Sequence, residues 1–207
     1  MITPHVDDLD AVLTEAVRAL RGAVDRIWDV PATGLTWTCR ETLEHVADNL
    51  FAYAGQLAVH TPETSTYVPF AFHADREGGP SLSIFSSQEK GNAGLTQVVD
   101  ACGGLLSSVV RAAAPGARGW HPFGVSDPGG FAAMGTVETL LHLHDVAAPL
   151  GLDWDPDEAV VSRVLDRLFP LAPREEDPWP TLLWCTGRGP LDGVDDLDRW
   201  RWDSSVR

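Results

Sequence analysis

Cysteine is scarce and badly placed for any thiol framework. Cys39, Cys102 and Cys185 are odd in number, widely spaced, and form no Cys-x-x-Cys. A disulfide scaffold and a thiolate zinc site are therefore not expected, and a reduced, cytoplasmic setting is. Basic residues are also few: Lys and Arg total 15 against 30 Asp and Glu, a formal charge of −15. No cationic field is available for nucleic acid or an anionic membrane surface, so neither is expected as a partner. The acidity reads as a solubility feature. The opening "MITPHVDDLDAVL" lacks the basic-then-apolar pattern of a secretory leader. The longest apolar stretches fall well short of a bilayer span. There is no internal repeat, no low-complexity segment, and no G-x-S-x-G to support a serine hydrolase.

What remains is an ordinary globular composition, 44% hydrophobic over 207 residues, enough for one good core with a small appendage. Residues 7–28 read as a helix, with Val12, Ala16, Ala19, Ala23 and Ile27 at helical spacing. A second helix begins at "TCRETLEHVADNLFAYAGQL", where Thr38 and Glu41 match a capping box. Residues 61–90 are rich in Pro, Gly and Ser without a sustained period; so long a loop is usually functional or mobile. Further helices are expected over 92–114, about 131–150 with Gly151 as the stop, and about 156–169 with Asp155 as cap. After Pro170, "TLLWCTGRG" and "LDRWRWDSS" suit a hairpin or an extended tail. The expected fold is all-α: a four-helix bundle with a long crossover connection, plus a short C-terminal helix and a hairpin or extended tail. In domain terms this divides the chain into a bundle over 1–155 and an extension over 156–207.

The fourth helix carries an anomaly. "VETLLHLHD" (137–145) is apolar, yet it holds Glu138, His142, His144 and Asp145. At about 100° per residue, with Glu138 at zero, His142 lies at about 40° and Asp145 at about −20°, while His144 lies at about 240°. The first three share one stripe. Glu138 and His142, four apart, can close on one ion, and a buried carboxylate needs such a partner. A catalytic zinc-type site wants three protein ligands. His45, flanking the apolar stripe of the second helix, is a candidate third, although alone it reads as a hydrogen-bonded boundary histidine. Asp145 suits either an acceptor that orients a ligand imidazole or a structural hydrogen bond. His144 reads as a packing or surface residue.

The same residues carry a family likeness. "LTWTCRETLEHVADN" resembles the first ligand segment of the mycothiol-dependent maleylpyruvate isomerase-like proteins of the DinB/YfiT superfamily, with Trp37 eight residues before His45. "TVETLLHLHDVAAPLGL" resembles the other signature through Glu138, His142, Asp145, Leu150 and Gly151. "LLWCTGR" is similar to part of the family's variable C-terminal region. The resemblance implies a DinB-like four-helix bundle with a divalent metal held by His45, Glu138 and His142. Zinc suits that donor set best, with nickel, iron or manganese as alternatives. It also implies a low-molecular-weight thiol such as mycothiol as cosubstrate, and isomerase or thiol S-transferase activity on a small molecule. The alternative is a non-catalytic metal-containing binding or regulatory protein of the same fold. A third reading is a purely structural bundle in which the polar groups satisfy one another without metal. A dicarboxylate substrate would need cations; Arg188 is the candidate, with Arg199 and Arg201 behind it, although exposed charge is the simpler reading of all three. The cysteines read as small buried hydrophobes. His60, His73 and His121 read as loop histidines, of which His73 and His121 suit a pocket wall, as do Trp120, Trp179 and Trp184. Homodimerisation through bundle faces is compatible with the pattern.

Overall fold

The computed structural model describes residues 4–195, 197 and 199–207. Helix α1 spans Pro4–Arg21, α2 Cys39–Ala58, α3 Gly91–Ala112 and α4 Pro128–Leu150; two shorter helices follow, α5 Glu158–Leu168 and α6 Pro178–Cys185. A 3-10 turn, Gln88–Lys90, leads into α3. α1 and α2 each pack on both α3 and α4, so these two successive helices lie across the bundle from one another. α5 packs on α4, and α6 on α5.

Local chemistry sets these boundaries. α2 starts where expected: Glu41 N donates to Thr38 Oγ1 at 3.1 Å and Thr38 N donates to Glu41 Oε2 at 2.8 Å. α1 ends at Arg21, not at residue 28. The chain turns there, Ile27 is left 74% exposed, and Trp28 enters the core with its Nε1–H on Ala23 O at 3.0 Å. α4 begins three residues earlier than expected, capped by Asp127 with Pro128 in its first turn. α5 is capped by Asp157, not Asp155, through the N–H groups of Ala159 and Val160.

α4 is the central rod, buried on nearly every side from Pro128 to Leu143. Gly135 permits this: a Cβ there would stand 2.7 Å from Leu106 Cδ2 and 3.1 Å from Leu50 Cδ2. Hence α3 and α2 can approach α4 closely at its middle.

The long connection after α2 is tied down. Asp48 accepts from the N–H groups of Ser83 and Ile84 at 2.7 and 3.0 Å, and Arg76 forks onto Glu41. At the C-terminal end, "TLLWC" is helical, because Pro178 opens α6 and Leu182, Trp184 and Cys185 turn inward. The expected hairpin is not formed among the described residues; Leu191 and Val194 make an isolated bridge. Residues 201–207 form neither helix nor strand and are anchored by Asp203 N on Leu168 O at 2.7 Å.

Contrary to the sequence estimate, one stretch, Gln88–Ala112, is long and apolar enough to cross a bilayer. Its Leu95, Val99, Leu106 and Val110 are buried, and it packs on α1 and α2 as a bundle helix.

Candidate metal centre

His45 on α2 faces Glu138 and His142 on α4 across the helix seam. One donor atom from each lies within 4.8 Å of the other two. Glu138 Oε2 stands 3.2 Å from His142 Nε2 and 3.9 Å from His45 Nε2. The two imidazoles meet edge to face, and Trp37 packs on His45 with centroids 4.9 Å apart. The structure thus brings together all three residues singled out by spacing.

Asp145 accepts from His142 Nδ1–H at 2.9 Å. It is 2% exposed and is itself held by Arg188, whose Nε and Nη2 donate to its two oxygens at 2.9 and 2.8 Å. This chain fixes the His142 ring. With the proton on Nδ1, the Nε2 lone pair points at the Glu138 carboxylate. Two lone-pair donors facing each other inside a bundle repel unless a cation lies between them.

The electrostatics express the same conflict. Burial pushes the His45 pKa down to about 4, against the pull of Glu138. Burial also opposes charge on Glu138, yet the His142 hydrogen bond and the two nearby imidazoles bring its pKa down to about 2. For His142, burial is outweighed by its hydrogen bonds to Asp145 and Glu138, which raise its pKa. Without metal, a proton on His142 is the remaining way to balance the carboxylate. Three converging N/O donors, one with its tautomer fixed from behind, form a donor set that fits a divalent ion.

Sequence reading missed several neighbours. The Asn49 amide nitrogen lies 3.0 Å from His45 Nε2. Asn49 stands four residues after His45, the same spacing that singled out Glu138 and His142, so that signal was present. Tyr53 OH donates to Glu138 Oε1 at 3.3 Å, again from α2. Trp200 and Trp202 arrive from the tail, which no local pattern could place over α4.

Two cavities meet at His45 and Glu138. One, of about 450 Å³, is bounded by Thr33, Trp37, His144, Thr186 and Arg188. The other, of about 310 Å³, lies toward Tyr67, Phe70, His121 and Phe123. Trp200 and Trp202 border both. Arg188 is therefore on a cavity wall, but its guanidinium is committed to Asp145. Arg199 and Arg201 are exposed. His144 stays outside the cluster yet lines the larger cavity, with its ring edge-on to Trp179 at 5.6 Å. His60 and His73 are exposed, whereas His121 is buried. All three cysteines are buried and unpaired, and burial pushes each thiol up to about 11, so none is poised as a nucleophile.

The family model described as the mycothiol maleylpyruvate isomerase N-terminal domain matches residues 9–147. The chain belongs to this family. The matched span contains His45, Glu138, His142 and Asp145, and stops before Arg188 and the tail tryptophans. No curated protein and no solved structure matches the chain. Membership makes this a mycothiol-related family member with a DinB-like bundle, and its His45, Glu138 and His142 form a group that could hold a metal ion.

Proposed function

We propose that the chain is a divalent-metal-dependent enzyme that activates a low-molecular-weight thiol, mycothiol or a close analogue, for S-transfer to or isomerisation of a small electrophile. His45, Glu138 and His142 would hold the metal, with zinc the ion best suited to two imidazoles and a carboxylate. The observation that carries this reading is the convergence of those three donors from two helices, Glu138 and His142 buried and His45 half-buried, with His142 locked from behind by Asp145 and Arg188.

When bound, the metal would stabilise a thiol sulfur as thiolate at neutral pH. The protein's own residues do the rest. Asp145 keeps the Nδ1 proton on His142, so Nε2 remains a donor atom. Arg188 balances the Asp145 charge, which keeps that carboxylate from competing as a ligand. Tyr53 donates to the far oxygen of Glu138, leaving Oε2 for the site. Trp37, Trp200 and Trp202 supply apolar wall to the larger cavity beside the centre. In this reading residues 1–155 form the metal-binding bundle, and 156–207 supply Arg188 and the wall over it.

Cobalt-substituted protein tests this without a known substrate. Addition of mycothiol should produce a near-ultraviolet sulfur-to-cobalt charge-transfer band in the wild type and none in His142→Ala. A wild type that binds one cobalt yet shows no band with mycothiol would favour a metal-containing binding or regulatory protein over a thiol enzyme.

A further inference from the structure

The two cavities that meet at the candidate centre differ in what they offer a ligand. The larger is lined by Thr33, by Thr186, whose hydroxyl donates to Leu182 O, and by the Asp145–Arg188 pair. The smaller is walled by rings, among them Tyr67, Phe70, Phe72, Phe123 and Trp200, and its lining includes no Lys or Arg. Its charged groups are Asp48 and Glu138, both acidic. The one cation lining the larger cavity has both arms of its fork on Asp145. Around the centre, then, no uncommitted cation is available among the described residues, in a chain of net charge −15. Apart from a metal ion in the centre itself, a dianionic substrate would enter against that field and find no free side-chain cation to pair with.

Several donors line the smaller cavity, among them Gln56, Tyr67, Ser81 and Trp202, whose Nε1–H has no partner among the described residues, and His121, whose tautomer can be read from its neighbours. His121 Nδ1 accepts from Phe123 N–H at 3.1 Å and lies 3.3 Å from Ser204 Oγ. The ring proton therefore sits on Nε2, which finds no acceptor among the described residues. The ring is 5% exposed, stands 5.9 Å from Tyr53 and lines the cavity. The long loop after α2 supplies Tyr67, Phe70 and Phe72, and Asp48 ties that loop down beside the site.

We propose that the smaller cavity seats the electrophile as an uncharged, flat, largely apolar molecule with one carbonyl-type acceptor, and that His121 Nε2–H is the donor to that acceptor. This deepens the thiol-transfer reading and rests on it for the other half of the site, where the more polar thiol occupies the larger cavity. For an enone of this class the chemistry balances without an oxidant or reductant. Thiol addition forms one C–S bond and breaks the S–H bond, and the proton ends on the carbon next to the carbonyl. While the π electrons shift toward the carbonyl oxygen, His121 steadies the charge growing there.

The test is calorimetric titration of zinc-loaded protein with two probes, 4-phenylbutan-2-one and maleate. The ketone has the proposed ring and acceptor but cannot add a thiol; maleate is a dicarboxylate. The ketone should bind saturably and maleate should not. His121→Phe should weaken the ketone about five- to tenfold, the loss of one hydrogen bond. Tyr67→Ala, at a half-buried position, should weaken it by a similar factor and covers the case in which the His121 variant does not fold. Maleate binding as tight as the ketone, no ketone binding, or ketone binding untouched by a folded His121→Phe or by Tyr67→Ala would overturn the inference. Zinc content of the same samples separates the two levels. Ketone binding in protein that takes up no zinc keeps the cavity assignment and removes the thiol-enzyme reading. Zinc uptake with maleate preferred does the reverse.

Discussion

Asp127 at the start of α4 and Glu138 in its middle are both acids largely withdrawn from water on one helix, but their surroundings differ in kind. Asp127 caps the helix through Gly130 N–H at 2.7 Å and pairs with the buried Arg167 at 3.2 Å. The partner is a permanent cation, and the space is full: a Cβ on Gly130 would collide with Ser126 Oγ and the Arg167 guanidinium. Arg167 Nη1 and Ser126 Oγ lack partners among the described residues, yet they are packed against that backbone. Glu138 instead faces two imidazoles, one of which is held as a lone-pair donor, and two cavities open beside it. A buried acid matched by arginine is closed chemistry. A buried acid matched by oriented imidazole is complete only when a proton or a metal is added.

That difference can be broken from either side. The largest effect is expected at the open cluster. Asp145→Ala should lower metal affinity about 10- to 100-fold, because His142 loses the acceptor that fixes its ring and Arg188 loses its partner. Competition with a chromophoric chelator measures it; unchanged affinity would mean that Asp145 serves packing alone. Next comes the closed cluster. Arg167→Met should cost about 1–3 kcal/mol in urea unfolding, the price of leaving Asp127 unpaired, while metal stoichiometry stays as in the wild type.

The smallest effect separates both clusters from an exposed pair. Chiefly through its hydrogen bond to Arg76, and also through Thr38, Glu41 has its pKa lowered from 4.5. A depressed carboxylate contributes stability that is complete above the unfolded value and is lost as pH falls through the folded one. The melting temperature of the wild type should therefore approach that of Glu41→Gln as pH drops below about 4.5 and exceed it modestly at neutral pH. A constant gap across that range would contradict the assignment.

How much of this was legible beforehand follows from the range of each interaction. The stripe of Glu138, His142 and Asp145 is a property of one helix, so periodicity exposed it. The Thr38–Glu41 box is equally local. His45 needed a second helix, and its pairing with α4 came from family resemblance as much as from spacing. The end of α1 and the start of α4 were misjudged because Trp28 burial and the Asp127 cap, both set by neighbouring structure, override the apolar period, whereas Gly151 stops α4 as expected. α6 was missed because Trp- and Thr-rich sequence favours strands in isolation; Pro178 and burial against α5 decide otherwise. Arg188 was a substrate-binding candidate with exposed charge as its simpler reading, and its pairing with Asp145 was not foreseeable from sequence. Nor was the approach of Trp200 and Trp202, which depends on how the tail returns to the bundle; His121, by contrast, was a pocket-wall candidate and does line the smaller cavity.

The most direct test of the central claim is metal content by mass spectrometry of protein purified without an affinity tag, for wild type, His45→Ala, His142→Ala and Arg167→Met. The expected result is about one equivalent of divalent metal in the wild type and in Arg167→Met, and almost none in either histidine variant, all four remaining helical by circular dichroism. A wild type that takes up no metal after reloading, or a His142→Ala variant that keeps a full equivalent, would contradict it. The cluster would then be a proton-balanced structural feature of the bundle.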